Sequence, residues 1–290
     1  MKNVASPRLA LSQFTTTHLP FEADFALVQN GGFEGLEVCE SKLSEAPAAA
    51  ADQVRALRDS GLPVCSVQPR VHSVWPDQMA AEPAEPQKRV DLFRRSMDRF
   101  VTALPDQSPT FVLISGRAPD HDLARGRDEL AGAADQLADE AAQRGCRIAF
   151  ETLNPVMMNE DSFVCLWDEA LVVAQMVGSD HLGLVCDLWN VWQEPEILAS
   201  VRQSIEKVFL VHVSDWRDGG PRRLNDRLIP GRGVIPFAAW GSMLRDAGYD
   251  GWVCLEMLSD RQLEDSFYRL DPADVLAESR RELAAAGLCG

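Results

Sequence analysis

IAFE (148–151), LGLVCD (182–187), VFLVH (208–212) and GWVCLE (251–256) are the stretches on which the reading of this chain turns. Each is a short apolar run that ends on a side chain able to bind a metal: Glu151, Asp187, His212 and Glu256. Hydrophobic strands buried on both faces belong to parallel sheets, and a polar residue at the carboxyl end of such a strand is where a parallel barrel opens into its active-site loops. One site built from four separate strands is therefore expected.

Outward from these stretches the same pattern continues. Strand-like runs begin at Arg8 (RLALSQF), Gly35 (GLEVCE), Pro63 (PVCSVQP), Thr110 (TFVLISG), Cys146 (CRIAFE), Leu182 (LGLVCD), Lys207 (KVFLVHVSD) and Gly251 (GWVCLEML). Amphipathic stretches lie between them. Val90, Phe93, Met97, Phe100 and Leu104 recur at steps of three and four, as do Phe237, Trp240, Leu244 and Ala247, so each set makes one apolar helical face. Gly61, Gly145, Gly178 and Gly248 stand where left-handed helix ends are expected. Eight such units of about 36 residues each fit a single (β/α)8 TIM barrel, a fold of about 250 residues. The domain is expected to cover residues 1–290, because no linker-like stretch divides the chain. A doubly wound open sheet is the rival, but the turn after the first strand, FTTTHLPFE, lacks the glycines of a nucleotide site.

Composition narrows the function. A net charge of -16 opposes contact with a phosphate backbone, so no nucleic-acid partner is expected. The N-terminal MKNVASPRLALSQF has neither a signal core nor an Arg-rich presequence, and no apolar run approaches membrane-spanning length, which places the chain in the cytoplasm with no membrane partner. Seven cysteines without a CxxC pair, with Cys39, Cys65, Cys186 and Cys254 inside strand-like runs, read as reduced buried thiols.

Strand parity bears on the four ligand-type residues. Glu151 shares a face with Ala149 and Arg147, Asp187 with Val185 and Gly183, His212 with Leu210 and Val208, and Glu256 with Cys254. All four can point into one barrel mouth. Taken singly, each has an ordinary alternative as a loop cap, an ion-pair partner or a satisfied core histidine. As a set, three crowded carboxylates call for a neutralising cation. Three carboxylates and one imidazole suit a divalent metal, Mn²⁺ or Mg²⁺ first and then Co²⁺ or Zn²⁺. Such an ion could polarise a substrate carbonyl and stabilise the enediolate left when the neighbouring carbon loses its proton. Glu151 and Glu256, nearly opposite each other on strands five and eight, are the candidates to move that proton.

The segments IAFETLNP, GLVCDLWNVW, LVHVSDWRDG, NDRLIPGRGVIPF and AGYDGWVCLEML resemble, in order, motifs of the sugar phosphate isomerase/epimerase superfamily, the xylose isomerase-like barrels. That family includes inosose isomerases and ketose 3-epimerases. The resemblance is strongest from Cys146 to Asp260. It implies a metal on Glu151, Asp187, His212 and Glu256, catalysis by the two glutamates, a small sugar or polyol-ketone substrate, and a homodimer or homotetramer. Many members carry Asp-x-x-His on the sixth strand, whereas this chain has Asn190 at the last position, where an asparagine can still hydrogen-bond a hydroxyl.

Further substrate contacts are expected from Arg70, His72 and Trp75 after the third strand, Asn190, and Arg217 after the seventh strand. Glu37 is open between a substrate contact and a buried brace, Trp75 between a sugar platform and loop packing, and Asp215 between support for His212 and a loop cap. One of Trp189 and Trp192 should wall the pocket. The loop holding Arg217, Arg222, Arg223, Arg227 and Arg232 against Asp218 and Asp226 is locally basic and could greet a substrate, close as a lid or simply be solvated. A metal-dependent isomerase or epimerase is the leading expectation. A dehydratase or 3-oxo-glycoside eliminase, and a non-catalytic sugar-binding barrel, are the alternatives; an endonuclease IV-type nuclease is disfavoured, since the chain has only five histidines.

Overall fold

The computed structural model describes residues 6–219 and 223–290, so Arg222 lies outside the described residues. Eight parallel strands close into a barrel in sequence order: β1 (Arg8–Ser12), β2 (Gly35–Cys39), β3 (Val64–Gln68), β4 (Thr110–Leu113), β5 (Arg147–Glu151), β6 (Leu182–Asp187), β7 (Val208–Val213) and β8 (Trp252–Leu255). Each lies inside the run expected for it. Around them pack α1 (Ala23–Gly31), α2 (Pro47–Asp59), α3 (Pro86–Ala103), α4 (Leu123–Arg144), α5 (Trp167–Val177), α6 (Leu188–Val191), α7 (Ile197–Gln203), α8 (Phe237–Asp246) and α9 (Pro272–Ala285). No helix among the described residues is long and apolar enough to cross a membrane.

Alternation along the strands sorts the core into two parts. Ala10, Cys65, Val112, Ala149, Val185, Leu210 and Cys254 meet inside the barrel. The opposite faces pack outward under the helices, where Val90, Phe93, Met97 and Phe100 of α3 and Phe237, Trp240 and Leu244 of α8 bury the faces that their spacing predicts. Gly145 and Gly178 end α4 and α5 with φ of 68° and 67°, a backbone conformation that costs glycine little. All seven cysteines are buried and free.

Register slips at two places among the described residues, the first between Leu36 and Glu37 where β2 meets β3. The β6–β7 register slips between Leu184 and Val185, so Val208 turns outward into the helix-facing core and Phe209 packs against the barrel interior instead. A bulge inserts one residue into a strand and so reverses the alternation on one side of it. Gly183 makes room for the turned ring, since a Cβ there would lie 2.5 Å from Phe209. Beyond the bulge, Leu210 and His212 keep the inward direction.

Arg89, buried within α3, was not singled out in the sequence. Its guanidinium donates to the carbonyls of Ser73 (2.9 Å), Ala80 (2.9 Å) and Pro83 (3.0 Å) and pairs with Asp77 at 3.3 Å. This one side chain ties down the long segment between β3 and α3, which forms a wall of the mouth.

Candidate metal centre and active site

Ligand-type atoms of Glu151, Asp187, His212 and Glu256 all lie within 4.8 Å of one another at the carboxyl end of the barrel, and all four residues are buried. His212 Nε2 is 2.9 Å from Glu37 Oε2. A carboxylate only accepts, so Nε2 carries the hydrogen of the neutral ring and the lone pair belongs to Nδ1. That Nδ1 is buried without a hydrogen-bond partner, 3.5 Å from Glu256 Oε1 and 3.7 Å from Glu151 Oε1. An imidazole oriented by a carboxylate, with its free nitrogen among acidic oxygens, is the arrangement of a metal-ligating histidine. The donor set therefore fits a divalent cation.

Electrostatics point the same way. Burial pushes Glu256 up to about 8, with His212 and Arg227 opposing, and raises Glu151 as well, against the pull of His212. Burial also disfavours charge on His212, but Glu256 and Glu37 outweigh it and hold the imidazole well above its usual range. Protons held this tightly among acids occupy the place that a cation would take.

Other expected residues fall in different positions. Glu37 is fully buried beneath His212, also accepts from Ser66 Oγ at 2.7 Å, and so braces His212 without lining the cavity. Asn190, 0% exposed, has its orientation set by the Asn154 N–H donating to Oδ1 at 3.0 Å. Its Nδ2 then donates to Glu151 Oε1 at 3.1 Å and Asp187 Oδ2 at 2.9 Å, so the amide is spent on two carboxylates and not on a hydroxyl of the substrate.

His72 lines the cavity over the cluster, as do Glu151 and Glu256. Arg70 does not: it is exposed and reaches back to the carbonyls of Glu40 and Leu43. Trp75 packs half-buried against the helix-facing core. Arg217 pairs with Asp265 away from the cavity. Asp215 caps its loop, accepting from the N–H groups of Trp216, Gly231, Gly233 and Ile235. The glycines of the PGRG turn thus wrap a carboxylate of the chain itself, and a Cβ at Gly233 would lie 2.5 Å from Asp215 Oδ1.

Among the described basic residues of that loop, Arg227 enters the site. Its Nη1 is 2.9 Å from Asp187 Oδ2 and 3.0 Å from Glu256 Oε2, and its Cζ lies 4.8 Å from the Trp189 ring centroid. Trp189 is fully buried and packs at a tilt of 44° against Trp216 with centroids 4.7 Å apart, so it backs Arg227 without lining the cavity, and Trp192 does not line it either. Gln68 donates to Glu256 Oε1 at 3.2 Å. It ends β3 as Glu151 ends β5, so the strand-end rule applied to β3 would have found it. Asp161 also lines the cavity, from a loop that carries no sequence signal.

A sequence profile described as Xylose isomerase-like TIM barrel matches residues 25–286. The chain belongs to that family. Among its xylose isomerase-like relatives, an inosose isomerase of Halalkalibacterium halodurans is 24% identical over 148 residues, 50% of this chain and 49% of the relative. The chain thus spans about half the length of the inosose isomerases it matches. A fructoselysine 3-epimerase of Escherichia coli O157:H7 is 23% identical over 267 residues, 88% of this chain and 92% of the relative. The crystal structure of the IOLI protein with a binding zinc atom superposes with a TM-score of 0.77 at 18% identity, covering 97% of this chain and 98% of that one, a likeness of fold.

Proposed function

We propose that this barrel is a divalent-metal-dependent isomerase or epimerase of a ketose, inosose or related polyhydroxylated carbonyl compound, working by transfer of the proton beside the carbonyl. The observation that carries this reading is the partnerless Nδ1 of His212 facing Glu151 and Glu256, with Asp187 completing the donor set. Glu151, Asp187, His212 and Glu256 would hold the ion. Bound there, a cation such as Mn²⁺ or Mg²⁺ would supply Lewis-acid stabilisation of negative charge developing on the substrate oxygen.

The protein groups do the rest. Glu151, which ends β5, and Glu256, just past β8, both line the cavity, so one carboxylate would take the proton from carbon and the other could return one to the opposite face. Arg227 and Gln68 hold the Glu256 carboxylate in place. Asn190 does the same for Glu151.

The test is metal uptake followed by exchange. One Mn²⁺ per chain by calorimetry, and deuterium incorporation from D2O into a keto-sugar or inosose, are expected. Glu151→Gln or Glu256→Gln should lower that exchange about 10²–10⁴-fold. Undiminished exchange in both variants would sink the acid/base assignment.

A second reading, elimination through the same deprotonation, is favoured by one observation: Asn190 stands where many relatives have histidine, and its amide is occupied by carboxylates. Product mass separates the two. An isomer keeps the mass of its substrate, whereas a dehydrated or aglycone-free product is lighter.

A further inference from the structure

The cavity has a second polar pole that the metal centre does not use. Asp161 lines it, is only 3% exposed, and accepts at Oδ1 from the Gln78 N–H at 2.8 Å. Its other oxygen, Oδ2, is buried with no hydrogen-bond partner. A desolvated carboxylate oxygen is unfavourable without a donor, and the structure of the loop already has what it needs from Oδ1. Burial accordingly raises the Asp161 pKa.

His72 lines the same cavity as Asp161. Its Nδ1 is 3.1 Å from the carbonyl oxygen of Pro69, which only accepts. The ring hydrogen is therefore on Nδ1, and Nε2 of the neutral imidazole is left as an acceptor. Both side chains at this pole thus need donors from whatever enters. Apolar side chains also line the cavity: Phe14, Ile114, Leu153 and Leu224, of which the last three pack with Met157 in a cluster separate from the main core.

We propose that Asp161 and His72 form a specificity pole that accepts hydrogen bonds from hydroxyls at the end of the substrate remote from its carbonyl. This rests on the function proposed above and narrows the substrate class. The ligand is a neutral polyhydroxylated carbonyl compound, free of phosphate. A phosphate ester has little to offer two acceptors, and its charge is repelled by Asp161. Arg227, the one arginine among the described residues that line this cavity, is already engaged by Asp187 and Glu256.

The experiment uses the full chain loaded with Mn²⁺ and three probes: D-fructose, 6-deoxy-D-fructose and D-fructose 6-phosphate. Metal stoichiometry is read first by calorimetry. Probe binding and D2O exchange follow by NMR. D-fructose should bind at least tenfold more tightly than either analogue. Asp161→Asn, which keeps the Oδ1 acceptor for Gln78, should weaken D-fructose at least tenfold through KM while leaving 6-deoxy-D-fructose within twofold. His72→Gln gives a second test of the same pattern should Asp161→Asn not fold. Three results overturn the inference: equal losses for D-fructose and its 6-deoxy analogue, binding of the phosphate ester as tight as that of the free sugar, or no probe binding by a protein that takes up one metal ion. The last leaves the metal centre standing. Failure to take up metal removes the function on which the inference rests.

Discussion

The two ends of the barrel handle charge in opposite ways. At the amino-terminal end, Arg8 lies 3.9 Å from the Trp252 ring centroid and Arg147 4.5 Å from that of Phe209; both arginines are exposed and their charges remain in water. At the carboxyl end, Glu37, Glu151, Asp187 and Glu256 are buried around Arg227 and His212. The first end is satisfied by stacking and solvent. The second collects more buried acid than its own cations neutralise, and such an arrangement costs stability unless a ligand repays it. Buried charge concentrated at one end makes that end the candidate for function.

Perturbing each end should give different signatures. The largest effect is expected from Arg227→Met, which leaves Asp187 and Glu256 facing each other without their shared cation. Chemical unfolding of the metal-free protein should show a loss of about 3–5 kcal/mol, and saturating Mn²⁺ should recover part of it. The sharpest challenge to the contrast would be a variant as stable as the parent.

Next comes pH. Glu256 has a folded-state pKa of about 8 against an ordinary value of 4.5, and His212 is likewise raised. A raised folded pKa means that the native state binds the proton more tightly, so this contribution is fully present at low pH and lost as pH climbs. Melting of the metal-free protein should fall from about pH 4.5 through about pH 8. Mn²⁺ affinity should rise over the same interval, because the ion displaces those protons.

Asn190→Ala removes the amide that ties Glu151 to Asp187, and metal affinity measured by calorimetry should drop about 10–100-fold. The smallest effect on the mouth is expected from Gly183→Ala, which drives a Cβ into the Phe209 ring. It should cost about 1–3 kcal/mol of stability by overpacking. Metal affinity should stay as it was; a coupled loss there would show that the two ends are not independent.

Much of this was legible before any coordinates. Hydrophobic runs bounded by helical periods identify all eight strands, because burial on both faces leaves no other way to read them. Parity then aims Glu151, Asp187, His212 and Glu256 inward, because side-chain direction alternates along any regular strand. Phe209 escaped that logic. A bulge is a property of the pairing between two strands, and neither strand announces it alone.

The arginines of the β7–α8 loop show the same limit. Arg217 stands close to the strand end in sequence, yet it turns out to Asp265, while Arg227 folds back onto Asp187 and Glu256. The path of that loop depends on Asp215 gathering the backbone N–H groups of Gly231, Gly233 and Ile235, contacts made between segments up to twenty residues apart. By itself, then, the sequence determined the barrel and the inward direction of Glu151, Asp187, His212 and Glu256, since both follow from local periodicity and chain order. Only the tertiary structure decided that Asn190 bonds Glu151 and Asp187, that Glu37 braces His212, that Arg227 reaches Asp187 and Glu256, and that Asp161 and His72 line the same cavity. Those are meetings of loops and faces, and no local pattern encodes which distant side chain a loop will reach.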